Sequence, residues 1–444
     1  MTEPPEASGP ESALALDRVR AAGATLIRTS LSWFGTAPAT PARGFRPADP
    51  NDRQYDWSAF DKRVRLFEQH GLEPIAAIND VPNWARLIPD PVSPPHIAPF
   101  AAFMRAAAKR YSGATPGVPR VRYWEIWIEP NVDRFFSFKA VGGESRVAAY
   151  YAAMVNAATL AVRAVSPDAR VIAGGLSPFT VSNPDIHTIG PFVFMRQMLC
   201  VQATTPANPT CASGVAFDIW DHHPYTSGGP YHKALNPDDA SLGDLPRMNS
   251  LLLGAYRAHH IVAPTKPLFW VTEFSWDTNP PDPTAVPLAL HARWVAEALD
   301  EMWQAGVTLV TWLQLRDEGP PPQFSYQSGL WFRGDGGLAT DSPKPALTAF
   351  RFPFVAYRRG ERISYWGRTP WGKPGRVIIE QNRGTGWRQV ASVVSDRFGI
   401  FRDHYQSHSP RGEVRARLSN GSLSLGFSLV VPPNENLAVR PFGA

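Results

Sequence analysis

Residues 123–131 read Y-W-E-I-W-I-E-P-N. Aromatic and β-branched side chains favour a pleated strand, and a proline cannot donate to the ladder, so the run 122–128 is a strand that ends by delivering Glu129. F-W-V-T-E-F-S-W (269–276) repeats the pattern, an apolar strand closing on Glu273. Working outward, similar runs stand at 24–30, 72–79, 169–175, 216–222 and 307–315, and the two carboxylate strands extend over 122–128 and 267–274. Helical stripes lie between them: Phe60, Val64 and Phe67; Val147, Tyr151, Met154 and Ala158; Trp294, Ala298 and Met302. Strands alternating with amphipathic helices predict an α/β fold, a (β/α)₈ TIM barrel whose mouth carries the residues at the strand ends. An eighth strand would have to precede the helix that begins near Glu11. Residues 1–10 hold three prolines and no apolar alternation, so the first barrel strand is expected to be missing from this sequence.

The helical stretch 344–355 closes the barrel pattern. Beyond it, alternating strands with glycine turns at 377–381, 388–396, 399–405, 413–418 and 423–431 predict a small antiparallel β-sandwich. The expected division is a barrel over 1–357 and an accessory sandwich over 358–444, in keeping with 444 residues being more than one core usually supports. A net charge of +5 without any run of five basic residues argues against nucleic acid, and no apolar run reaches the ~20 residues of a membrane span. Cys200 and Cys211 bracket a polar stretch with prolines, which reads as one loop closed by a disulfide; two unpaired thiols are the alternative. A disulfide points to a secreted or extracytoplasmic protein, although residues 1–10 have neither the basic nor the apolar region of a signal peptide.

Two carboxylates projected from opposite sides of one barrel mouth suit displacement at an anomeric carbon, one acting as acid and the other as nucleophile or base. A separation of about 5–5.5 Å would mean retention and about 6.5–9.5 Å inversion. The 144 residues between Glu129 and Glu273 leave that choice open. W-E-I-W-I-E-P-N resembles the W-x-x-W-N-E-P-N signature of glycoside hydrolase clan A, most closely family 39. The likeness extends to 22–33, 55–61, D-H-H-P-Y (221–225), W-V-T-E-F (270–274) and 344–351, nearly the whole barrel. It implies a cofactor-free retaining glycosidase acting on a glycoside, oligosaccharide or polysaccharide, with Glu129 as acid/base and Glu273 as nucleophile.

The resemblance also implies that Arg28 keeps the nucleophile ionised, that His222 or His223 faces the pocket together with Tyr225, and that Trp312 is a platform under the sugar. Trp33, Trp84, Asn131, Asn79, Trp276 and Gln314 lie just past strand ends, where specificity loops sit. Adjacent histidines without a third ligand at suitable spacing predict no metal. Glu125, Asp218 and Asp221 read as buried structural acids. One residue departs from the signature: Ile128 stands where the clan has an asparagine that hydrogen-bonds the hydroxyl beside the anomeric carbon. A slow enzyme, an unusual substrate and a degenerate site all remain open. So do two other functions, a catalytically impaired carbohydrate-binding relative and a transglycosidase. Oligomeric state is not legible.

Overall fold

The computed structural model describes residues 1–201, 209–319, 326–432 and 437–439. Seven strands form one parallel sheet in sequence order: β1 Leu26–Ser30, β2 Glu73–Ile78, β3 Tyr123–Ile126, β4 Arg170–Leu176, β5 Ile219–His222, β6 Leu268–Val271 and β7 Val307–Val310. All seven expected strands are present, and each is followed by helical or turn structure that returns the chain. The stripes on helices Ser58–Gln69, Glu144–Arg163 and Leu288–Gln304 are buried as their spacing required.

Period-two alternation sorts the strand residues into two environments. One set, including Ile27, Ile78, Trp124, Ile126, Val171, Trp220 and Val271, packs outward against the helices. The other points inward, where Ile75, Ile172, Ile219 and Trp270 make an apolar floor with Leu26, Tyr123 and Leu309 packed on it. Two residues further along, the inward positions change character to Arg28, Glu125, Asp221 and Thr272, all buried. The floor is apolar, and the layer above it is charged.

The sheet curls without closing into the expected eight-stranded ring. Residues 1–3 span the seam at its mouth end: the Arg28 amide donates to the Met1 carbonyl at 2.9 Å, Glu3 to Arg28 at 2.8 Å, and Thr2 to the Trp312 carbonyl at 3.0 Å. The expectation that residues 1–10 contribute no strand therefore needs correcting for these three, while Pro5–Ser8 forms a 3₁₀ turn. Below the bridges a cleft of about 520 Å³ separates Leu26 from Val307 and Leu309.

Strands β8 Phe354–Arg359, β9 Arg362–Arg368 and β12 Ile400–Gln406 form one antiparallel sheet. Strands β10 Arg376–Asn382, β11 Trp387–Val394, β13 Glu413–Leu418 and β14 Phe427–Ser428 form a second. They share a core of Val355, Ile363, Val377, Ile379, Phe401, Val414 and Phe427, into which Ala296 of helix Leu288–Gln304 also packs. β8 runs across the expected 357/358 division, and the barrel's last helix is the shorter Pro345–Arg351. A disulfide joins Cys200 to Cys211 with their Cα atoms 5.6 Å apart. No helix among the described residues is long and apolar enough to cross a membrane.

Candidate active site

β3 ends at Ile126, earlier than expected, because the backbone turns left-handed at Trp127 (φ 69°) and again at Glu129 (φ 42°). Such conformations cost non-glycine residues of order 1–3 kcal/mol each and persist only where the surroundings enforce them. Here the enforcement is visible: the Trp127 amide donates to Ile78 at 2.9 Å, the Glu129 amide to Gly175 at 3.0 Å, and Trp127 Nε1 to the Phe135 carbonyl at 2.9 Å. The double reversal turns Glu129 into the mouth and leaves Ile128, between the two strained residues, half-buried.

Around Glu129 the charged inner layer is contiguous. Arg28 grips Glu125 through Nε and Nη2, each at 2.7 Å, and reaches Glu273 Oε1 through Nη1 at 2.7 Å. Tyr225 donates its hydroxyl to Glu273 Oε2 at 3.1 Å. His223, fully buried, sits between the two mouth carboxylates, with Nδ1 2.9 Å from Glu129 Oε1 and 3.7 Å from Glu273 Oε2. A carboxylate oxygen of Glu129 and one of Glu273 lie within 4.8 Å of each other. Behind His223, Nε2 is 3.2 Å from Thr272 Oγ1 and 3.7 Å from Asp221 Oδ2. Asp221 accepts the Thr272 amide at 3.0 Å and the Thr272 hydroxyl.

Burial alone would raise the Glu273 carboxyl, but His223, Arg28 and the Tyr225 hydroxyl outweigh it and hold it below its ordinary value. Burial likewise works against the His223 imidazolium, yet Glu273, Glu129 and Asp221 around it raise the ring to about 9. Burial pushes Asp221 up. His222 is different: burial lowers it to about 3, and its Nε2 donates to the Ala240 carbonyl at 2.8 Å, so the pocket histidine is His223.

Two triplets, Glu129–His223–Glu273 and Glu125–Asp221–His223, bring their donor atoms within 4.8 Å, a convergence that sequence spacing did not reveal. Arg28 is bonded to both Glu125 and Glu273 in that space, and His223 lies against Glu129, Glu273 and Asp221. The arrangement is an ion-pair network.

Other expected site residues lie elsewhere. Trp312 is wholly buried against Phe274, His291 and Phe350, with Nε1 donating to Ser328 at 2.8 Å, so it offers no face to a sugar. Trp33 is buried too, stacked on Phe103, and Trp84 meets it edge-on while donating to the Pro38 carbonyl. Asn131 is a loop clamp, bonded to Ser177 and Ile189. Trp276 is buried and bonded to Gly228; Asn79 accepts from Ser30, and Gln314 contacts Glu318 and Ser328. Asp218 does hold a structural position, bonded to Arg163 and Arg170. Glu125 and Asp221 are buried and paired as expected, and they lie directly beneath the mouth carboxylates. Thr272 and Gly175 were not anticipated. Gly175 has a left-handed backbone (φ 58°) that a side chain would strain, and a Cβ there would stand 3.2 Å from Asp221 Oδ2, tight against the network.

No family model matches the chain, and no curated protein matches it by sequence. Solved structures do. One is a family 39 glycoside hydrolase from the gut symbiont Bacteroides cellulosilyticus WH2, 17% identical over 88% of this chain and 76% of that one, with a TM-score of 0.53. The chain shares the fold of that family 39 enzyme. A glucosidase from Croceicoccus marinus is 16% identical over 88% of this chain and 89% of its own, with a TM-score of 0.50. The clan A resemblance carried by Glu129 and Glu273 is thus matched by a common architecture.

Proposed function

We propose that the protein is a retaining glycoside hydrolase. The observation that carries the reading is the approach of the Glu129 and Glu273 carboxylates to within 4.8 Å across His223. An approach that close between their oxygens favours the roughly 5–5.5 Å carboxyl separation of a double displacement over the roughly 6.5–9.5 Å that an inverting enzyme keeps for water. Glu273, held ionised by Arg28, Tyr225 and His223, attacks the anomeric carbon as the bond to the leaving oxygen breaks and Glu129 gives that oxygen its proton. In the second step Glu129 takes a proton from water, the water oxygen bonds to the anomeric carbon, and Glu273 departs.

The intact charge network supports an enzyme over a decayed binding protein, since a site without chemistry has no use for buried carboxylates with only partial compensation. The β-sandwich as an accessory domain, and the extracytoplasmic setting that the Cys200–Cys211 disulfide favours, belong to the same reading. The test is intact-protein mass spectrometry after incubation with a panel of activated 2-deoxy-2-fluoro glycosides. A single adduct mapped to the peptide with Glu273 is the expected result and names the sugar; an adduct on another residue would overturn the assignment.

A further inference from the structure

Glu129 does not stand alone. Its Oε1 meets His223 Nδ1 at 2.9 Å, and the other side of the ring is determined by groups that never reach the mouth. Thr272 has one hydroxyl proton, and it is committed to Asp221 Oδ2, while the Thr272 amide fixes Asp221 Oδ1 at 3.0 Å. The Thr272 oxygen can therefore only accept from His223 Nε2, 3.2 Å away, so Nε2 carries a hydrogen. While Asp221 is ionised Nε2 keeps its hydrogen, and the proton in the 2.9 Å contact with Glu129 then has two resting places, Nδ1 and Oε1.

We infer that Glu129 and His223 act as one proton-sharing pair, and that Thr272 and Asp221 are positioning residues that hold His223 in the tautomer the pair requires. This rests on the reading of Glu129 as acid/base. The pair's single proton moves through Glu129 to the leaving oxygen when the glycosidic bond breaks, and the proton removed from water returns to the pair when Glu273 departs. No other proton source is needed. The groups facing His223 are Glu129, Glu273 and Asp221, with Arg28, Glu125 and Tyr225 behind them and His222 turned away to Ala240. Three carboxylates around one ring keep its proton in place into the alkaline range, consistent with the rise to about 9.

The first arm of the test needs no substrate. In full-length protein labelled with ¹⁵N-histidine, with His223 assigned by comparison with His223→Gln, Nε2 is expected to remain protonated throughout the titration while Nδ1 titrates. Asp221→Asn should lower that titration by about 1 pH unit or more, because a nearby opposite charge is worth that much. Thr272→Val should release the fixed tautomer and Thr272→Ser should restore it, which keeps the question answerable if Asp221→Asn does not fold. A His223 titration and tautomer unmoved by both Asp221→Asn and Thr272→Val would overturn the inference.

The second arm uses the 4-nitrophenyl glycoside of the sugar identified by trapping. The alkaline limb of kcat/KM should shift down in Asp221→Asn together with the ring's titration. Failure of the two readings is separable. If Glu129→Gln changes the His223 titration but no glycoside is trapped or cleaved, the pair stands and the hydrolase reading falls. If trapping succeeds and the positioning variants leave both titration and limb in place, the reverse holds.

Discussion

Arg28→Met tests the charge network most severely. The side chain is nearly isosteric, but it withdraws both bonds to Glu125 and the bond to Glu273, each 2.7 Å long, from groups whose side chains are 2% and 13% exposed. Breaking a buried ion pair by removing one partner costs about 3–5 kcal/mol, because the remaining charge is left without compensation. Two consequences follow, and they separate. In stability, Arg28→Met should fall by about that amount, and Arg28→Met/Glu125→Gln should recover a large part, since the buried charge that lost most bonds is gone too. In activity, the double variant should recover nothing, because Glu273 still lacks its guanidinium. The sign is set by the direction of the Glu273 shift. Its carboxyl is held below the ordinary value, so it is ionised above that value and loses activity as pH falls through it. Removing a cation at hydrogen-bond distance should move this acid limb up by about 1–3 pH units. The assay is kcat/KM against pH for both variants, alongside urea unfolding. An acid limb unchanged in Arg28→Met, with folding intact, would refute the claim that Arg28 keeps Glu273 ionised.

Restoring the missing amide with Ile128→Asn should raise kcat/KM on a substrate with a hydroxyl beside the anomeric carbon by about tenfold or more, and leave a substrate deoxygenated there unchanged, as parallel kinetics on the two would show. Replacing Cys200 and Cys211 together with serine should cost at most about 3 kcal/mol, the loop-closure value for a bridge of sequence separation 11, without changing kcat; differential scanning calorimetry and initial rates check both halves. Burial raises the Asp300 carboxyl to about 7, so its contribution to stability is present at low pH and is lost as pH rises towards 7; Asp300→Asn should flatten that decline in urea midpoints measured between pH 4 and 8.

The strands were legible because each is a short apolar run set between helical stripes, and Glu129 and Glu273 were legible because they are the carboxylates on which two such runs end. Arg28 gripping Glu125 was not, since a contact between residues 97 apart leaves no trace in spacing. Parity held more than was taken from it. Asp221 lies on β5 and His223 two residues on, just past its end, so an extended backbone puts both on the same side, which would have selected His223 over His222 and joined Asp221 to it. The same count from inward-facing Leu309 sends Trp312 outward to the helices, where it is buried. The strand end at Ile126 escaped because left-handed turns at Trp127 and Glu129 are imposed by neighbouring strands and contradict the local preference of both residues.

Four carboxylates, Glu125, Glu129, Asp221 and Glu273, surround two groups able to carry positive charge, Arg28 and His223. With every acid ionised the cluster would carry two excess negative charges over an apolar floor, so folding favours retaining a proton there. His223 is raised and so is Asp221, while Glu273, the one acid bonded by both Arg28 and Tyr225, is lowered. The excess negative charge thus leaves Glu273 as the acid held ionised while the His223 ring keeps its proton, a separation of roles of the kind that double displacement demands. A fifth acid or a second arginine in that layer would disturb the sorting even without touching a sugar. The chemistry of the mouth is set by the charge count one layer below it.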